Sequence, residues 1–281
     1  MLKSCEKLIR FGFDLLLFSS LSFTSTQAAN QIAVRNALRL YVPNMGYGDA
    51  TLIQLPSEKN ILIDCGTYES GDRLLSFLHD KKVNYLELLV VTHPHDNHYG
   101  GLAKLAEAIS IQQVITSDIQ NIPDDLKQTY ESLYSKHIPI QEVRAGEKII
   151  IDSDTSLHIL HPSQLAGEPN TDSLVLEIAF KHSVLLFTGD IPPDIQTHLI
   201  KSKLLVKQPN WTLLPHHGGK LSEIFATFIG NSVNVISTGP HETWKAPDQE
   251  TIHRFTTNLF RTDLDGDLGF LIRDGEVAPL R

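Results

Sequence analysis

The sequence predicts an α/β fold in which two β-sheets pack face to face and carry helices on their outer sides. Strand-length apolar runs fall into two groups, one early and one in the second half of the chain. Amphipathic helical segments are interleaved with both groups, and no internal repeat or low-complexity tract points to a solenoid or a fibre. With 281 residues, 41% of them hydrophobic and 20% charged, the chain is long enough to bury one large core, so a single main domain is expected.

The first 29 residues differ from the rest. Lys3, Lys7 and Arg10 form a positive start, FGFDLLLFSSLSF (Phe11 to Phe23) is largely apolar, and STQAAN offers small residues for cleavage near Ala28 or Ala29. This order predicts a signal peptide over 1–29, a domain over 30–281, and export to the periplasm or the medium. The apolar run is short for a bilayer span, and Asp14 interrupts it. Cleavage would remove three cationic and two acidic residues and take the formal charge from −9 to −10. An acidic surface repels nucleic acid at long range, so a phosphate ligand must be held by a local site. Only Cys65 would remain in the mature chain, which excludes an intramolecular disulfide. No other apolar run is long enough to predict an integral membrane span, and nothing specifies an oligomeric state.

The domain opens with three strands, ALRLYV (Ala37 to Val42), TLIQL (Thr51 to Leu55) and NILIDCG (Asn60 to Gly66). GYGDA and PSEKN are turn chemistry between them, which predicts a meander. SGDRLLSFLHDKK then places Leu74, Leu75, Phe77 and Leu78 on one helical face after Ser70, and YLELLVV reads as a buried strand. Next come a helix from Gly101 to Ala108, a strand in QQVITS and a helix opened by Pro123. Strands follow in KIIIDSDTSLHILHP, DSLVLEIAF and HSVLLFTGD. The last third alternates WTLLPHH with SEIFATFIG and VNVIST with PDQETIHRF, and LFRTDLDGDLGFLI is expected to close the domain as a hairpin.

Three of these strands run into polar residues. VVTHPHDNHYGGL leaves an apolar strand at His93, His95 and His98, LLFTGD ends on Asp190, and WTLLPHHGG ends on His216 and His217. Neutral imidazole is the commonest nitrogen ligand for zinc and similar ions, and a carboxylate closing a core strand suits a cation. Three polar strand ends therefore point to one shared rim. Cys65 reads as a small buried residue, His161 as a residue fixing the turn before Pro162, and Asp49 and Asp64 as side chains that hold a loop through backbone amides.

THPHDNHYGGL, TGD and PHHGG together resemble the metallo-β-lactamase family, whose fold is a four-layer αββα sandwich with a His-x-His-x-Asp-His metal motif. A closer resemblance is to the hydrolase domain of ComEC-type DNA-uptake competence proteins. It is carried by GYGDATLIQLPSEKNILIDCG, NTDSLVL, FTGD, LLPHHGG and FRTDLDGDLGFLI in that order, over roughly Leu38 to Ile272. The resemblance implies that His93, His95, His98 and Asp190 are metal ligands, with Asp190 bridging if two ions bind. One of His216 and His217 would complete the second position, His217 being favoured because it directly precedes glycine. Asn170 and Ser173 match the family's Asn-x-x-Ser element. With Asp190 and Asn97 they would line the catalytic site. Zn2+ or Mn2+, as one or two ions, would be the cofactor.

Two departures stand out. Asn97 occupies the aspartate position of the motif, where an amide offers an oxygen but no charge; Asp96 is adjacent but would face the other side of an extended segment. Ala246-Pro247 replaces the family's His-Pro pair, with Lys245 or His241 as candidate phosphate-binding groups. The implied activity is metal-assisted hydrolysis of a phosphodiester, in nucleic acid or a smaller phosphoester. The alternatives are hydrolysis of another ester (a lactone, a β-lactam or choline phosphate) and a non-catalytic metal-binding recognition protein.

Overall fold

Alternation along each strand sets the layers of the structure, a computed structural model that describes residues 36–241 and 245–280. The predicted signal peptide lies outside the described residues. β1 (Leu38–Val42), β2 (Thr51–Gln54) and β3 (Asn60–Ile63) form the expected antiparallel meander. The YLELLVV run divides into β4 (Tyr85–Leu86) and β5 (Leu88–Val91). β4 pairs with β6 (Ser110–Ile111) in a two-stranded parallel ladder. β5 continues the main sheet in parallel beside β3, and β7 (Val114–Thr116) and β8 (Ile140–Glu142) follow it.

The second sheet begins with β9 (Lys148–Ile150), β10 (Thr155–His161), β11 (Val175–Phe180) and β12 (Ser183–Phe187), all antiparallel. It continues in parallel through β13 (Trp211–Leu213), β14 (Val233–Ile236) and β15 (Leu259–Arg261). The chain then returns to the first sheet, where β16 (Leu268–Arg273) runs antiparallel to β1 and β17 (Glu276–Pro279) forms the edge.

The expected closing hairpin therefore does not form, because its two strands belong to different sheets. The Thr262 hydroxyl is buried, accepts from the Thr238 N–H and donates to the Thr238 carbonyl, which pins the helical turn Thr262–Asp265 beneath the exit of β14. The hairpin lies one strand later, between β16 and β17, where Asp274 and Gly275 take φ values of 39° and 92°, the left-handed pair that an Asp-Gly turn favours.

Period-two alternation sends neighbouring side chains to opposite faces. Leu88 and Val90 of β5, with Leu185 and Phe187 of β12, enter the core between the sheets. Leu89 and Val91 instead meet Leu74, Phe77, Leu105 and Leu126 from helices on the outer face of the first sheet. Leu186 meets Leu199 and Phe225 on the outer face of the second. These three buried interfaces make the four αββα layers. Among the described residues, no helix is long and apolar enough to cross a membrane.

Candidate metal centre

β3 and β5 are parallel, as are β12, β13 and β14, so each group delivers its following loops to one end of its sheet. Asp64 leaves β3 in a left-handed conformation, φ 59°, and clamps the exit of β5. Its carboxylate accepts the Thr92 N–H and the Thr92 hydroxyl, each at 2.8 Å. The helical turn Asp96–Tyr99 then folds His98 back beside His93, with ring centroids 4.1 Å apart.

Asp190 is the hub. Its Oδ2 lies 3.4 Å from His98 Nε2, 3.6 Å from His217 Nε2, 3.7 Å from His93 Nε2 and 3.9 Å from His216 Nε2. His95 joins through His93, with His93 Nε2 and His95 Nδ1 3.0 Å apart. Both His216 and His217 are left-handed, φ 54° each, and Gly218 continues the tight path at φ 79°. That path separates the pair. The His217 side chain is fully buried, whereas that of His216 is 39% exposed.

Two histidines are oriented from behind. His98 Nδ1 lies 2.8 Å from Asp64 Oδ2. His217 Nδ1 lies 3.0 Å from the Ser237 carbonyl oxygen and 3.1 Å from Asp49 Oδ1. Each leaves Nε2 turned towards Asp190, the arrangement that sets a ligand imidazole's tautomer. Replacing Asp64 by Asn is expected to weaken metal affinity by about 10–100-fold while the chain stays folded; calorimetric titration of both proteins checks this, and an unchanged affinity would contradict it.

Burial opposes charge throughout the cluster, and neighbouring carboxylates decide where it yields. Burial and the nearby His98 hold His93 well below the ordinary histidine range, and burial lowers His95 and His216 as well. Burial also works against charge on His98, but Asp190 and Asp64 outweigh it and raise His98 well above that range. At His217 the same opposition is overcome by Asp49 and Asp190, and the group is pushed up to about 10. Burial would raise Asp190, yet His98, His217 and His93 hold it well below the carboxylate range. In the metal-free site the neighbouring carboxylates thus favour the protonated forms of His98 and His217. Ligation needs neutral imidazole, so metal uptake at pH 7 is expected to release protons, and affinity should rise with pH until His217 deprotonates. Titration in buffers of different ionisation enthalpy measures this; heats independent of buffer would contradict it.

The donor set fits a divalent cation. Asp49, His98, Asp190 and His217 bring ligand atoms within 4.8 Å of one another, as do His93, His95 and Asp190, so Asp190 is common to two groups. Asp190 Oδ1 is buried without a hydrogen-bond partner, and His98 Nε2 and Asp49 Oδ1 make no hydrogen bond although ionic neighbours lie 3.4 Å and 3.1 Å away, a set that a bound cation would satisfy.

Of the remaining expected residues, Asn97 and Ser173 touch this cluster. Asn97 Nδ2 lies 2.9 Å from His217 Nε2, so the amide occupies the side of the site where the family motif has a carboxylate. Asp96 is exposed, in the first turn of the short helix, and belongs to neither donor group. Ser173 Oγ accepts the Asp190 N–H at 3.2 Å; Asn170 Oδ1 is buried without a partner. His161 Nε2 donates to the Thr171 carbonyl, which ties down the loop after Pro162 rather than the turn before it. The exposed Lys245 lines a cleft of about 700 Å³ with Gly239, Pro247 and Arg261, and the His241 ring packs edge-on against Tyr47. Asp64 holds a backbone amide as expected, whereas Asp49 does not: it faces the cluster, which turn chemistry in GYGDA does not reveal.

Comparison with known proteins agrees with this architecture. Residues 43–245 match the profile of the Metallo-beta-lactamase superfamily. The chain is 25% identical over 253 residues to ComE operon protein 3 of Bacillus subtilis, covering 81% of this chain and 32% of that protein. It is 24% identical over 269 residues to Recombination protein 2 of Haemophilus influenzae, covering 92% of this chain and 31% of that one. The chain thus spans about a third of the length of these relatives. A crystal structure described as a new diphosphatase from the PhnP family superposes with a TM-score of 0.51 at 13% identity, covering 84% of this chain and 99% of that one.

Proposed function

Because the chain belongs to the metallo-β-lactamase superfamily, we propose that it is a metal-dependent hydrolase acting on phosphodiester bonds, in nucleic acid or a smaller phosphoester. The observation that carries the reading is the buried Asp190 carboxylate, ringed by imidazoles and keeping one oxygen without a partner. In this reading His93 and His95 would hold one ion and His98 and His217 the other, with Asp190 common to both donor sets. Zn2+ or Mn2+ bound there would supply the Lewis acidity that hydrolysis needs.

The protein's own groups do the positioning. Asp64 and the Ser237 carbonyl fix the tautomers of His98 and His217, and Ser173 holds the loop that carries Asp190. The exposed side of His216 and the half-buried His95 mark the open face from which substrate enters. The order of charge, apolar run and small residues over 1–29 supports export of the mature chain. The likeness to competence-type proteins favours a phosphodiester over other esters. The test is a substrate panel with added Zn2+ or Mn2+. Hydrolysis of bis(p-nitrophenyl) phosphate, abolished by chelation, is expected, whereas faster turnover of a lactone, a β-lactam or a choline phosphate would replace the assignment.

One contact favours a second reading, a non-catalytic metal-binding recognition protein: the uncharged Asn97 amide abuts His217 Nε2 where a carboxylate would strengthen the second position. Turnover by the unmodified protein rules this reading out.

A further inference from the structure

The loss of charge at Asn97 has a neighbour that can compensate for it. GYGDA forms the turn after β1, and its backbone docks onto the histidine loop: the Asp49 N–H donates to the Asn97 carbonyl at 3.0 Å, and the Gly66 N–H donates to the Asp49 carbonyl at 2.7 Å. Gly48 makes this approach possible. A Cβ there would lie 2.9 Å from Gly66 Cα and Thr67 N and 3.0 Å from the Asn97 carbonyl oxygen, all backbone atoms. The Asp49 side chain is 5% exposed, and its Oδ1 makes no hydrogen bond although it lies 3.1 Å from His217 Nδ1, which donates to the Ser237 carbonyl. A ligand oxygen of Asp49 lies within 4.8 Å of ligand atoms of His98, Asp190 and His217, the residues of the second position.

We propose that Asp49 supplies the anionic oxygen of the second metal position, replacing the carboxylate that Asn97 lacks. The inference rests on the metal-centre reading above. It differs from a purely orienting role, in which Asp49 would only steer His217 through Nδ1 at 3.1 Å. An orienting partner costs about 10–100-fold in affinity and leaves the number of ions unchanged. Loss of a charged ligand removes the ion at micromolar concentrations.

The experiment is zinc stoichiometry by elemental analysis, with cobalt-substituted absorption spectra as a second readout, on the full chain and three variants. The unmodified chain is expected to hold two ions, Asp49→Asn one, and the Asp49→Asn/Asn97→Asp double variant two again. Asn97→Asp should therefore raise second-ion affinity far more in the Asp49→Asn background than alone, a non-additivity that an orienting role does not produce. Because Asp49 is buried, circular dichroism checks the fold of each variant, and Asn97→Ala provides an arm that leaves Asp49 intact. This variant should keep both ions. Two ions in Asp49→Asn, or loss of the second ion in Asn97→Ala, overturns the proposal. A single ion in the unmodified chain also overturns it but leaves the metal-centre reading standing; no ion at all overturns both.

Discussion

Replacing Asp190 by Asn is expected to abolish binding of both ions and to destabilise the metal-free chain by roughly 3–5 kcal/mol. Asp190 belongs to both donor groups, so its loss removes an oxygen from each position at once. In the metal-free chain it is also the counter-charge for His98 and His217, which its carboxylate helps to keep protonated despite full burial. An amide of the same shape leaves those groups with only Asp64 and Asp49 as ionic partners, and breaking a buried ionic network is among the costlier single changes available. Elemental analysis and denaturant unfolding measure the two halves of the prediction. Retention of either ion, or stability within about 1 kcal/mol of the unmodified chain, contradicts it.

The His93→Ala/His95→Ala double variant is expected to lose about a thousandfold or more in phosphodiester hydrolysis, roughly 4 kcal/mol of transition-state stabilisation. Its stoichiometry should fall to one ion, because His98, His217, Asp49 and Asp190 are left in place. Activity within tenfold of the unmodified chain would place the chemistry elsewhere. The pairing of a large rate effect with a partial loss of metal separates a local change from general unfolding.

Much of this centre was legible because strands advertise where they end. His93, Asp190 and His217 each follow an apolar strand, and the sheets bring those ends together as the strand pattern implied. The two sheets were legible for the same reason, since alternation along β5 and β12 divides Leu, Val and Phe between an inner and an outer core. Three features were hidden. Asp49 sits in a turn whose composition is explained by turning alone, and only the docking of that turn against Asn97 gives its carboxylate a target. His216 and His217 are adjacent and chemically identical, and what separates them is a pair of left-handed backbone conformations. A polar segment between two apolar runs has one pattern whether the strands pair or part. The crossing from β15 to β16 was therefore read as a hairpin, and only the buried Thr262 hydroxyl marks the difference.

The measurement that bears most directly on the account is the number of divalent ions retained by the unmodified chain after equilibration with micromolar Zn2+ or Mn2+. Two ions per chain is the predicted result, because two donor groups share Asp190. A chain that retains none would contradict it, and the buried cluster of histidines and aspartates would then be a self-satisfied ionic network rather than a metal centre.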